Sequence, residues 1–160
     1  MTSDQFQGLA WLMAVCSSLM AGVYLTFSVV IMKSLATLNS SQGIDAMNAI
    51  NKVILKTAFM PLFFGSSVIA LMMIGLGLRF QSEPGAGATL AAGLIYFFGM
   101  FFTTAAANVP LNNKLAKVSG DGEEAQRIWQ EYLTRWTRWN ASRTVWSFAT
   151  LVICLDLLAQ

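Results

Sequence analysis

Between Trp129 and Trp146 the chain sets Trp129, Tyr132, Trp136, Trp139, Arg143 and Trp146 at intervals of 3, 4, 3, 4 and 3 residues, which puts them on one face if the segment is helical. An aromatic wall that holds a single guanidinium suits a flat, weakly acidic aromatic ligand. The rings stack on it, and the always-protonated arginine offers a planar fork of donors. Asn108 and Asn112 stand at i and i+4, so their carboxamides share a helix face, and Asn140 lies close to Arg143 in sequence. They form either a helix cap or the polar floor of a pocket. Tyr24 is the remaining candidate acid or base, with an ordinary pKa of about 10. A plainer reading makes the tryptophans an interfacial belt and lets Arg143 snorkel to the headgroups. Trp129 fits that belt, whereas Trp136 and Trp139 fit it less well, because a belt requires no shared face.

Other chemistry is thinly represented. The chain has no histidine, so the commonest ligand of haem iron, copper and catalytic zinc is missing. Cys16 and Cys154 lie in apolar segments and read as small core residues, without metal spacing or a disulfide framework. The methionines, scattered through apolar helices, read as core filler. Inside the apolar segments the only carboxylate is Asp156, near the end of the chain. Hydrolytic triads, carboxylate pairs and phosphate-binding loops are absent. The expectation is a protein with no metal and no cofactor.

These residues need a scaffold, and composition supplies it. The chain is 56% hydrophobic and 11% charged, which marks an integral membrane protein. Three runs, 5–32, 57–78 and 84–113, contain no Asp, Glu, Lys or Arg and are long enough to span. The last apolar run, after Arg143, is too short for a bilayer core of about 30 Å and must recruit Asn140 and Arg143 to the membrane boundary or the bundle interior. The predicted fold is all-α: a single four-helix transmembrane domain over 1–160, with spans near 6–31, 59–78, 89–109 and 140–158.

Nine of the ten basic residues fall on one side of these spans, with Arg79 alone opposite. That bias puts both long connections in the cytoplasm and both termini outside, in what reads as a bacterial inner membrane. It also accounts for the net charge of +2, so no nucleic-acid partner is expected. The N-terminal run is too long for a cleaved signal, so the first helix is expected to stay. Ser40 to Lys56 reads as an amphipathic cytoplasmic helix, with Ile44, Met47, Ile50, Ile54 and Leu55 opposite Asp45, Asn48 and Lys52. It either rests on lipid or caps the bundle. Pro61 sits in the first turn of the second span, where its missing donor costs nothing. Gly99, Thr103 and Ala107 place small side chains four apart, which allows close helix approach. Pro110 is expected to push Val109 out of helical geometry and end the third helix around Asn108 to Asn112. After a Ser-Gly-Asp-Gly turn, a long fourth helix runs from about Glu123 to Leu158 and extends into the cytoplasm.

The segments GVYLTFSVVIM (22 to 32), AMNAIN (46 to 51), FMPLFFG (59 to 65), NVPLNNKLA (108 to 116) and WQEYLTRWTRWNASR (129 to 143) resemble, in order, the anthrone oxygenase-like family of small four-helix membrane proteins. The NVPLN and W-x-x-W-N-x-x-R elements are its more specific parts. Lys33 departs from the pattern, where a proline would be expected after the first helix. The resemblance implies a cofactor-independent oxygenase that converts an anthrone to an anthraquinone with O2, as fungal members of the family do. On that reading Arg143, Asn108 and Asn140 are catalytic: Arg143 stabilises the oxyanion, and the asparagines donate to ring oxygens or the peroxide. Trp136, Trp139, Asn112 and Tyr24 bind substrate.

Three functions share this sequence. The chain is an oxygenase of anthrone type, a non-catalytic binder of a lipid, quinone or other hydrophobic small molecule, or a structural protein with the same residues packed solid. Expected partners are a hydrophobic or aromatic small molecule and the bilayer, with a homo-oligomer also open.

Overall fold

Each charge-poor run forms a helix over nearly its whole length in the computed structural model, which describes residues 2–120 and 122–159. Helix α1 (Thr2–Thr26) continues through a π-helical turn, Phe27–Ile31, into Met32–Leu35. It therefore carries Lys33 inside the helix, past the expected exit near residue 31. Helix α2 (Ser40–Ile54) is amphipathic and starts at Asn39, whose side chain accepts the Gln42 N–H at 2.9 Å. Helix α3 spans Phe59–Arg79, with Pro61 in its first turn as expected.

Helix α4 begins at Ala86 after Gly85, whose φ of 83° is a conformation suited to glycine. It is α-helical over Ala86–Tyr96, π-helical over Phe97–Phe102 and Thr104–Asn108, and α-helical again over Val109–Leu115. The expected break at Pro110 does not occur, since Val109 keeps helical angles of −61° and −45°. In an α-helix the proline ring would meet the carbonyl of Ala106. The wider π-helical turn just before it gives the ring room, so the third rod runs to Leu115. Helix α5 (Glu123–Ala159) is a single rod. Asp121 of the preceding turn lies outside the described residues.

Four of these rods are long and apolar enough to cross a bilayer. Helix α5 packs on α1 and α4, α4 on α3, and α3 on α1, which closes a four-membered bundle of antiparallel neighbours. Small residues set the closest approaches. A side chain at Gly93 would strike the Ala70 carbonyl, and one at Gly99 would collide with Trp146.

Two cores fill the bundle. The larger is rich in methionine, with Met13, Met20, Met73 and Met100 around Tyr96. The second, at the end carrying most basic residues, joins Ile44 and Met47 of α2 to Leu111, Leu115, Trp129, Tyr132 and Trp136. Helix α2 therefore caps the bundle. Trp129 is 1% exposed, and a Cβ at Gly43 would come within 2.5 Å of its ring. Assigning Trp129 to the interfacial belt is thus incorrect: α2 covers the ring that would otherwise reach the headgroups.

Candidate functional site

Between the two cores lies a cavity of about 280 Å³ to which every helix contributes. This is close to the lower bound of about 300 Å³ for small-molecule sites. Helix α5 supplies Trp136, Asn140 and Arg143, α4 supplies Thr104, Asn108 and Asn112, and α1 supplies Tyr24 and Phe27. Helix α2 adds Met47, Ile50 and Asn51, and α3 adds Phe59 and Phe63.

Helical periodicity explains why some members of the aromatic series reach this cavity and others do not. At about 100° per residue, the 3-4-3-4-3 spacing drifts steadily around the helix. The buried face of α5 instead follows Trp129, Tyr132, Trp136, Asn140, Arg143 and Ser147. Trp139 has drifted off it. It is 43% exposed and does not line the cavity, so its expected stacking role is lost. Trp146 is exposed as well, and Asn140 occupies the inward position assigned to Trp139. Trp129, Tyr132 and Trp136 stack in sequence, with ring centroids 5.8 and 5.9 Å apart.

Arg143 is 4% exposed, so it does not snorkel. Its Nη2 donates to Asn140 Oδ1 at 2.7 Å and its Nη1 to Thr104 Oγ1 at 3.1 Å. The guanidinium carbon lies 4.1 Å from the centroid of the Tyr24 ring and 5.6 Å from that of Trp136. No carboxylate lines the cavity among the described residues. A desolvated cation over an aromatic face gains about 2 kcal/mol, whereas burying an ion without a counter-charge costs several. The rings and two neutral acceptors offset only part of that cost. The site is therefore electrostatically disposed toward an anion.

Asn140 is fully engaged in placing this group. Its Nδ2 donates to the Tyr24 carbonyl at 2.6 Å and to Ser28 Oγ at 2.7 Å, while its Oδ1 receives Arg143. It has no spare donor for a ring oxygen or a peroxide, contrary to the expectation, and acts instead by holding Arg143. Asn108 donates to the Trp136 carbonyl at 3.3 Å, which leaves Oδ1 buried without a partner. What it presents is an acceptor. Asn112 Oδ1 receives the Tyr132 hydroxyl at 2.7 Å.

Among the described residues, seven buried side-chain polar atoms have no partner of hydrogen-bond geometry, and five belong to residues that line this cavity. The five are Tyr24 OH, Asn51 Nδ2, Asn108 Oδ1, Trp136 Nε1 and Arg143 Nε. Buried polar groups are normally satisfied, so this concentration singles out the cavity as the candidate site.

A model of the anthrone oxygenase family matches residues 52–153, well over half of the chain. The chain belongs to that family. No curated protein and no solved structure matches it. The part matched to the anthrone oxygenase model contains Asn108, Asn112, Trp136, Asn140 and Arg143, whereas Tyr24 and Asn51 precede it.

Sequence reasoning missed Thr104, Ser28 and Asn51. Nothing in the local sequence distinguishes Thr104 from Thr103. It faces Arg143 only because the π-helical turns of α4 set the rotation. Asn51 carried a weak signal, as an amide in the stretch where the amphipathic helix turns apolar.

Proposed function

We propose that this member of the anthrone oxygenase family is a membrane-embedded, cofactor-independent oxygenase acting on a planar aromatic of anthrone type. The observation that carries the reading is the buried Arg143, set over the Tyr24 ring and beside Trp136 at a cavity without a counter-anion. An anthrone becomes reactive toward O2 once the proton at its methylene carbon leaves and the charge moves to the carbonyl oxygen. The Arg143 guanidinium donates to that oxygen and so favours the anion. Trp136 stacks on the rings, and the Tyr24 hydroxyl passes the departing proton on to solvent, from which the peroxide anion later takes one up.

The carbanion then gives an electron to O2, and coupling forms a carbon–oxygen bond. Protonation yields the hydroperoxide. Loss of the second methylene proton with cleavage of the O–O bond completes the carbonyl and releases water. One oxygen atom enters the quinone and the other leaves as water, so no external reductant is needed. We take the basic end to be cytoplasmic, in a bacterial inner membrane, because of the bias of the basic residues.

The lining contains neither a carboxylate nor an imidazole, and this favours a second reading in which the cavity binds a hydrophobic ligand without turning it over. Oxygen uptake by the purified protein in proteoliposomes with a hydroxylated anthrone separates the two. Arg143→Ala is expected to lower uptake at least ~100-fold while the helical circular dichroism is retained. Quinone binding without any uptake by the wild type would establish the binder instead.

A further inference from the structure

The cavity has a polar inner wall and an apolar rim. The rim is formed by Leu55, Phe64, Ala105 and Val109, all of them exposed. Phe64 is 53% exposed and Val109 41%. Phe64 lies in α3, and Ala105 and Val109 lie in α4, both helices of span length. In a bilayer, then, most of this rim faces hydrocarbon.

The opening has a packing cause. Gly77 and Gly93 let α3 and α4 meet backbone to backbone at one end; a Cβ at Gly93 would lie 2.7 Å from the Ala70 carbonyl. Toward the basic end aromatic rings intervene, with Phe63 and Phe101 stacked 5.4 Å apart. The two helices pack along Ala86–Phe102 and diverge over Thr104–Leu115. On the water side the cavity is roofed. Helix α2 lays Met47, Ile50 and Asn51 across it, and the Tyr132–Asn112 bond ties α5 to α4 at the same level.

We infer that the site is loaded sideways from the bilayer, through the slot between α3 and α4, so that its ligand is a planar aromatic dissolved in the hydrocarbon phase. The inference builds on the ligand class proposed above but does not require turnover. A ring system slides in past the apolar rim and meets polar groups only at the inner wall, where Arg143 and Tyr24 stand.

The test is ligand association with the wild-type protein in proteoliposomes, followed by quenching of tryptophan fluorescence. The probes are a hydroxyanthraquinone and its membrane-impermeant sulfonate added from water. The variants are Ala105→Phe and Val109→Phe, which add bulk at the exposed rim. The control is Ala106→Phe, exposed on the same helix and outside the lining. The hydroxyanthraquinone is expected to bind at a rate that rises with its partitioning, and both rim variants should slow it about tenfold or more while Ala106→Phe leaves it unchanged. The sulfonate should not load. The slot is overturned if the sulfonate loads as fast as the neutral quinone, if all three variants behave alike, or if the wild type binds neither probe. Binding through the slot without oxygen uptake would sink only the oxygenase reading.

Discussion

In the methionine-rich core, Tyr96 donates to Ser66 at 2.9 Å and Ser66 donates onward to the Phe63 carbonyl at 3.1 Å, a neutral chain that ends on backbone. In the polar layer nearer the basic residues, Arg143, Asn140, Thr104 and Tyr24 are linked as tightly, yet atoms of Arg143 and Tyr24 remain without partners and border a cavity. Both groups are buried at similar depth, so burial alone does not mark function. The difference lies in completeness: one network closes on itself, and the other leaves buried donors without a partner beside a cavity.

Beyond Arg143→Ala, three measurements distinguish the two networks. Asn140→Leu should have the largest effect. It removes three bonds at once, including the one that orients Arg143, and a misplaced charge can cost about 100-fold in kcat. Substrate KM should change less, since Trp136 remains. Tyr96→Phe interrupts the closed network and is expected to cost about 1 kcal/mol in thermal stability with turnover unchanged. If Tyr96→Phe impaired turnover as severely as Asn140→Leu, the distinction between the two networks would collapse.

The smallest effect belongs to the surface. Glu131, on the stretch of α5 ahead of the span, accepts from Lys114 at 2.6 Å and from Arg135 at 2.8 Å. The Lys114 bond first and the Arg135 bond second hold its carboxyl below the ordinary value of 4.5. Folding therefore lowers this pKa. The stabilisation is in place above pH 4.5 and is lost as the pH falls through the depressed value. Thermal melts between pH 7 and pH 3 should show a slight acid-side decline that Glu131→Gln flattens, and an equal decline in Glu131→Gln would remove Glu131 as its cause.

The bundle was legible in the sequence because absence of charge over a stretch longer than a bilayer core leaves few alternatives, and α1, α3 and α4 follow from it directly. The site was legible in part. Arg143, Asn108 and Trp136 stood out as polar or aromatic groups at membrane depth. Trp139 misled because a 3-4 alternation approximates helical periodicity over two turns and departs from it over five. Trp129 misled because its cover, Gly43, lies far away in the chain and carries no signal of its own. Pro110 misled because the usual rule for proline presumes an α-helix, and α4 is not one at that point.

That last feature has a consequence for how the site is encoded. A π-helical turn holds one residue more than the α-turn it replaces, so Phe97–Phe102 and Thr104–Asn108 act as spacers that set the rotation of everything beyond them. Closing the first of them to α geometry with no residue removed would turn Asn108 and Asn112 by about 100° away from Trp136 and Tyr132. Every side chain of the site would still be present in the sequence, but the lock would no longer be cut to the same key. Part of this site is thus written in the winding of a helix rather than in the identity of its side chains.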